Sequence, residues 1–130
     1  MQGSCLCGQV RYHVTQLKTK IVHCHCNTCQ KAHAAAYNTT AGVAPEHVKW
    51  LQGEHLLTGF ESSPGKVRYF CSKCGTHLIA KKQGAPHWVL RVATLDDEPN
   101  QLPSSSIWCA HKRPWLQNNP DLIQFDEWEK

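Results

Sequence analysis

Seven of the eight cysteines fall in three short groups whose spacing is typical of metal ligation. The groups are Cys5 and Cys7, then Cys24, Cys26 and Cys29, then Cys71 and Cys74. Structural zinc sites usually take four such ligands, whereas catalytic sites keep three protein ligands and one open position. The spacing therefore predicts a zinc-binding protein, and two zinc ions per chain are favoured over one.

The outer two groups have the form of zinc half-sites. Cys71 and Cys74 lie three residues apart and are followed by Gly75, and Cys5 and Cys7 are followed by Gly8. Glycine permits the left-handed backbone that lets a tight turn aim two sulfurs at one ion. Spacing alone leaves two partitions open. The outer groups can close one four-cysteine site and leave a three-cysteine site, or a single site can draw on the central group.

A zinc ion with three thiolate ligands has an open position for the sulfur of a small thiol, which would be deprotonated on binding. Lys31 is a candidate to offset the added negative charge. His25 and His33 are candidates to move a proton, because imidazole titrates near neutral pH. The alternatives are a structural His25, a surface His33 and a solvated Lys31.

Two further residues have competing interpretations. Cys109 is expected to be a buried inert thiol, with a catalytic cysteine as the alternative. Trp115 is expected in the core, with a ligand pocket as the alternative.

Charge and composition narrow the classes of partner and compartment. The formal charge of +4 is mild, and the longest basic runs are pairs. This pattern argues against nucleic-acid binding, which needs a concentrated basic face, and it is compatible with a small anionic ligand. We find neither a secretory signal nor an apolar run long enough for a membrane span. We expect a cytoplasmic protein, in which grouped cysteines bind metal rather than form disulfides.

The elements that must position these residues are mainly β. Val10, Tyr12 and Val14 alternate with polar residues as in a half-buried strand. Further short β-type runs are separated by turn residues: 21–22, 37–43, 48–51, 56–60, 67–70, 77–80 and 88–94. A short helix is predicted over 27–36, capped by Asn27 or Thr28. The aromatic residues beyond Pro99 predict a tail that packs back onto a single domain of residues 1–130.

The cysteine motifs also carry a family resemblance. Three stretches, at 3–12, 24–31 and 70–78, together with Arg113-Pro114-Trp115, are similar to the glutathione-dependent formaldehyde-activating enzyme family, also called the centromere protein V domain. The resemblance implies an Mss4-like, zinc-stapled β fold with one short helix. It also implies a structural zinc on Cys5, Cys7, Cys71 and Cys74, and a second, nominally catalytic zinc on Cys24, Cys26 and Cys29.

Two classes of function follow. The resemblance implies a carbon–sulfur lyase that acts on the adduct of a thiol such as glutathione with formaldehyde or a similar aldehyde. The alternative is a non-catalytic zinc module that carries a thiol or a protein partner. A central cluster open at its fourth position favours the enzyme, and a fourth ligand such as His25 favours the module.

Overall fold

The computed structural model describes residues 1–117 and 119–129, and within them the chain is mainly β with one α-helix. The helix, α1, spans Asn27–His33. The strands are β1 (Gln2–Ser4), β2 (Arg11–Val14), β3 (Val22–Cys24), β4 (Asn38–Val43), β5 (Val48–Gln52), β6 (Leu57–Ser63), β7 (Lys66–Cys71), β8 (His77–Lys82), β9 (Trp88–Arg91) and β10 (Ser105–Ile107). The predicted fold class, mainly β with one short helix, is confirmed.

The strands form two sheets. A three-stranded sheet has the order β1-β2-β5, and a seven-stranded sheet has the order β10-β3-β4-β9-β8-β7-β6. The strand pairs are antiparallel except for β10, which runs parallel to β3. Sequence patterns located β2 to β9 but missed β1 and β10. Each of these two strands is three residues long, too short to show an alternation of apolar and polar residues.

The core lies where β2 packs against β8 and β9. The predicted inward residues Val10, Tyr12 and Val14 are fully buried with Leu78 and Leu90. The apolar side of each strand must leave water, and this burial is the main force that holds the sheets together.

Tyr12 also fixes how closely β1 approaches β2. Its hydroxyl bonds the Thr94 hydroxyl at 2.7 Å, and its ring lies against Gly3, where any β-carbon would collide with it. Gly3 is therefore needed for space rather than for an unusual backbone angle.

Helix α1 begins and ends differently from the prediction. Its N-terminal cap is the sulfur of Cys26, which accepts the backbone N–H of Cys29 at 3.2 Å, rather than Asn27 or Thr28. The helix ends at His33 instead of Ala36 because Ala34 adopts a left-handed conformation with φ of 49°. A cysteine cap means that the helix start and the central cysteine group are one structural unit.

The start of the aromatic tail lies against the domain, as predicted, but its aromatic side chains are not buried there. Trp108, Trp115, Phe125 and Trp128 are all exposed. The segment is attached by polar contacts instead: β10 pairs with β3, and the Gln30 amide donates to the backbone oxygen of His111 at 2.9 Å.

No helix within residues 1–117 and 119–129 is long and apolar enough to cross a membrane.

Candidate functional site

The outer cysteines meet in one group, which we call the peripheral cluster: Cys5, Cys7, Cys71 and Cys74. Their four sulfurs lie within 4.8 Å of one another. The Cys5 and Cys7 sulfurs are 3.5 Å apart, and those of Cys7 and Cys71 are 3.9 Å apart. A tetrahedral ion with Zn–S bonds of about 2.3 Å places its sulfurs about 3.8 Å apart. The peripheral cluster therefore fits a four-thiolate zinc ion.

Two turns deliver these sulfurs. Gly8, at φ of 77°, and Gly75, at φ of 79°, allow the chain to reverse directly after each cysteine pair. The backbone N–H of Val10 then points to the Cys5 sulfur at 3.3 Å, and that of Lys73 points to the Cys71 sulfur at 3.4 Å. These N–H groups stabilise thiolates, which are the ligand form of cysteine.

Cys24, Cys26 and Cys29 form a second group, the central cluster. Cys24 ends β3, Cys26 caps α1 and Cys29 lies in the first helical turn. The Cys24 and Cys29 sulfurs are 3.5 Å apart, and all three sulfurs lie within 4.8 Å. In the described part of the chain, no histidine, carboxylate or further cysteine joins this group. The two clusters could hold metal ions, and the central one offers three ligands.

The thiols of the central cluster differ in their pKa values. Burial above all raises the pKa of Cys24 to about 12. Burial also raises the pKa of Cys26, but the hydrogen bonds with Cys29 and Cys24 and the charge of Arg68 outweigh it and lower that pKa overall. With one pKa this high, the three thiols are not all deprotonated at neutral pH without a metal. Metal binding must then release protons.

Two buried arginines face the central cluster, and sequence reasoning missed both. Arg68, only 2% exposed, places its two terminal nitrogens 3.9 and 3.8 Å from the Cys29 sulfur. Arg91 is 4% exposed, and its Nε and Nη2 have no hydrogen-bond partner among the described residues. Burial, followed by the charge of Arg68, lowers the pKa of Arg91 to about 10, which still leaves it charged at neutral pH.

The predicted site residues around the central cluster separate into two environments. Lys31 is exposed and borders two cavities beside α1. His25 is 3% exposed, its ring lies 5.0 Å from that of Tyr37, and burial, then Lys112 and His23, lowers its pKa. His25 is not a fourth member of the sulfur group.

Three of the interpretations made from the sequence are corrected by the structure. His33 is half-buried rather than on the surface, with its ring 4.8 Å from that of His77. Cys109 is exposed rather than buried. Trp115 is 69% exposed and lines a cavity rather than the core.

The two cavities differ in character. The polar cavity, about 430 Å³, is lined by Gln30, Lys31, Arg113, Trp115 and the alanines at 34–36. The apolar cavity, about 360 Å³, is lined by Phe60, Phe70, Ala32 and His77, with Arg68, Ser62, Thr28 and Lys31. Neither has a carboxylate among its described lining residues. Both are therefore suited to neutral or anionic ligands.

Gln30 holds the polar cavity together. Its buried side chain donates to the His25 oxygen at 2.6 Å and to the His111 oxygen at 2.9 Å, and it accepts from Arg113 Nε. These bonds fix the C-terminal segment against α1. In the sequence, Gln30 looks like any residue on a helix surface. Its role is visible only in the structure, where it bonds a segment 81 residues further along the chain.

The family described as glutathione-dependent formaldehyde-activating enzyme matches residues 1–111. The chain belongs to this family. The resemblance seen in the cysteine motifs is thereby confirmed. Both cysteine clusters, Arg68 and Arg91 lie inside the matched residues, whereas Arg113 and Trp115 lie beyond them.

Relatives with that family name include bacterial and fungal proteins. A protein of Halomonas elongata, provisionally named a glutathione-dependent formaldehyde-activating enzyme, is 28% identical over 140 residues, which cover 100% of this chain and 83% of the relative. Proteins of Aspergillus flavus and Aspergillus oryzae with the same provisional name are each 29% identical over 80 residues, covering 59% of this chain and 41% of theirs.

A solved structure shows the same fold. The crystal structure of a Rhodobacter sphaeroides protein superposes with a TM-score of 0.66 at 22% identity, covering 82% of this chain and 98% of that one. This chain therefore shares the fold of that protein.

Proposed function

We propose that this protein is a zinc-dependent carbon–sulfur lyase that joins a thiol such as glutathione to formaldehyde or a similar aldehyde, and that it works in the cytoplasm. The observation that carries the proposal is the three-sulfur central cluster, which lies against two buried arginines and beside two cavities. The family membership and the names of the relatives support the thiol and the aldehyde.

Zinc bound by Cys24, Cys26 and Cys29 would offer one open position to a thiol and would lower the pKa of that thiol. The peripheral cluster would hold a second, structural zinc. In the reaction a carbon–sulfur bond forms as the carbonyl double bond opens, and the thiol proton ends on the carbonyl oxygen. The reverse reaction releases the aldehyde, and neither direction changes an oxidation state.

The chain's own residues would balance the charge of this chemistry. Three thiolates around a divalent ion carry one net negative charge, and a fourth thiolate makes two. Arg68 supplies a buried positive charge next to the Cys29 sulfur, and Arg91 supplies a second buried positive charge that interacts with the three cysteines, where the low dielectric makes both effective. The site is therefore closest to neutral with an anionic fourth ligand in place.

Binding and proton transfer are assigned to residues around the cluster. Lys31 and Arg113 in the polar cavity suit the carboxylates of glutathione, and Gln30 orients Arg113. His25 remains the candidate for proton transfer, because its buried Nδ1 has no hydrogen-bond partner among the described residues. The presence of two cavities favours this enzyme over a non-catalytic module that carries a thiol or a protein partner, because the second cavity provides room for a second reactant.

Exchange NMR tests the proposal. Glutathione and formaldehyde form S-hydroxymethylglutathione spontaneously, and the zinc-loaded protein is expected to accelerate that exchange on the order of tenfold or more. The matched control is Cys26→Ser at the same protein concentration. An exchange rate equal to that in buffer, with two zinc ions bound per chain, would refute the enzyme and leave the binding module.

A further inference from the structure

The apolar cavity is much larger than formaldehyde requires. It measures about 360 Å³, within the size range of sites for organic ligands. Formaldehyde has two heavy atoms and fills little more than the space of one or two water molecules, at about 30 Å³ each. A site that served formaldehyde alone would leave most of this cavity filled with water.

The cavity is connected to the reactive centre through one side chain. Arg68 lines it, donates Nε–H to Ser62 Oγ at 2.9 Å, and contacts the Cys29 sulfur with its two terminal nitrogens. Thr28 precedes Cys29 in α1 and lines the same cavity. A ligand that fills the cavity therefore contacts Arg68, which in turn contacts the Cys29 sulfur of the central cluster.

The walls select the chemical character of that ligand. Phe60 and Phe70 supply two aromatic surfaces, and Ala32 supplies a small side chain that leaves room between them. Phe60 is 65% exposed at the surface, although burial of such a ring is favourable. Aromatic pairs in offset or edge-to-face contact contribute beyond the area that they bury. The walls are thus complementary to a flat aromatic group.

We propose that the apolar cavity binds the aldehyde-derived half of the adduct, and that this half carries an aromatic side chain. The inference rests on the proposed thiol–aldehyde chemistry and names its aldehyde as an aryl or arylalkyl aldehyde. Thiol addition forms one carbon–sulfur bond, opens the carbonyl and moves the thiol proton to oxygen. Arg68 lies where its N–H groups can stabilise the negative charge that develops on that oxygen.

Equilibrium binding to the zinc-loaded protein tests the cavity without any turnover. S-benzylglutathione and S-methylglutathione have the same tripeptide and differ only in the group that the cavity would receive. We expect the benzyl compound to bind about tenfold or more tightly, as measured by calorimetry. Benzyl mercaptan and ethanethiol form a second pair without the tripeptide, with the same order expected.

Two variants locate the effect. Ala32→Leu fills the cavity from α1 and is expected to weaken binding of the benzyl compound to the level of S-methylglutathione. Phe60→Ala removes one exposed wall and is expected to reduce the preference, and it is the safer variant if the larger side chain disturbs the helix. Ala85→Leu, in the turn after β8, adds the same side chain at an exposed position that lines neither cavity, and it should change nothing.

The possible results distinguish a failure of the aromatic assignment from a failure of the proposed thiol–aldehyde function. The aromatic assignment is overturned if, in both pairs, the benzyl compound and its smaller partner bind with equal affinity. This conclusion does not depend on whether the protein acts on formaldehyde. A benzyl preference that survives Ala32→Leu and Phe60→Ala also overturns it. If neither glutathione derivative binds but benzyl mercaptan binds in an Ala32-dependent way, the cavity assignment is supported and glutathione is excluded as the thiol.

Discussion

Arg68 is the residue that joins the parts of this site. It is buried, it contacts the Cys29 sulfur, it bonds Ser62 and it lines the apolar cavity. Its guanidinium places a positive charge beside the sulfurs of the central cluster. The charge and the position of Arg68 can be separated by substitution.

Arg68→Gln is expected to weaken metal binding at the central cluster about 10- to 100-fold, the usual cost of losing a group that supports the metal ligands. Arg68→Lys keeps the positive charge but loses the paired terminal nitrogens, so its metal affinity should lie between those of the wild type and Arg68→Gln. Competition with a zinc chelator measures this, and the peripheral cluster serves as an internal reference.

Arg11→Gln, on the exposed side of β2, is the matched control. Equal affinity in wild type, Arg68→Gln and this control would show that Arg68 only packs.

At the scale of the element, helix α1 begins at a cysteine of the central cluster and ends at a residue with a strained backbone. Cys26 caps its first turn, and Ala34 closes it with φ of 49°. A non-glycine residue in this left-handed region costs roughly 1–2 kcal/mol. The exposed Ala34 therefore carries strain that glycine would not have.

Ala34→Gly is expected to stabilise the protein by about 0.5–1 kcal/mol, because relief of strain exceeds the added freedom of the unfolded chain. Thermal unfolding measures this as a higher melting temperature. Ala35→Gly, one residue on, lacks the positive φ and is the control. A lower melting temperature for Ala34→Gly would contradict the strain.

His33 makes the packing of α1 on β8 sensitive to pH. Burial, followed by the charges of Arg91, His77 and Arg68, lowers the pKa of His33 to about 3. The unfolded chain, with an ordinary histidine pKa near 6.5, therefore binds a proton that the folded chain does not. The lowered pKa therefore has no effect on stability above about pH 6.5, and it destabilises the folded chain progressively as pH falls from there toward 3.

His33→Gln is expected to flatten that dependence: between pH 7.5 and 5.5 its melting temperature should fall less than that of the wild type. Zinc is held at the same concentration, so any loss of metal in acid affects both proteins. His55→Gln, which changes an exposed histidine in the turn Glu54–Leu56, should follow the wild type. Parallel curves for all three proteins would contradict the assignment to His33.

Features set by residues close together in the chain could be predicted from the sequence, whereas contacts between residues far apart in the chain could not. The alternation of Val10, Tyr12 and Val14 and the cysteine spacings are local patterns, and they gave β2 and the two clusters. Arg68 lies 39 residues from Cys29, and only the folded sheet brings the two together. The attachment of the tail was predicted from its aromatic content, but backbone pairing and Gln30 hold that segment, and its aromatic side chains are exposed.

At the scale of the whole molecule, the two clusters have unequal mechanical roles. The peripheral cluster joins cysteines 64 residues apart, and Cys71 is completely buried. The central cluster orders the short stretch from Cys24 to Cys29. Structural zinc contributes on the order of 10 kcal/mol in small peptides, which is comparable with the whole stability of a domain.

Cys71→Ser is therefore expected to leave most of the protein unfolded or insoluble. Cys26→Ser should give a folded protein with one zinc ion fewer and no thiol chemistry. Circular dichroism melts and metal counts on both variants test this. If Cys26→Ser unfolds as completely as Cys71→Ser, the central zinc is structural, and the enzyme proposal loses its main support.

The 64-residue separation within the peripheral cluster also sets an order of events during translation. A chain leaves the ribosome N-terminus first, so Cys24, Cys26 and Cys29 reach the cell long before Cys71 and Cys74. If the central cluster holds a zinc ion, as proposed, the nascent chain can bind it before Cys71 and Cys74 have been synthesised. Metal supply during synthesis would then decide whether the sheets close around Cys71, and a cell short of zinc would lose the folded protein itself.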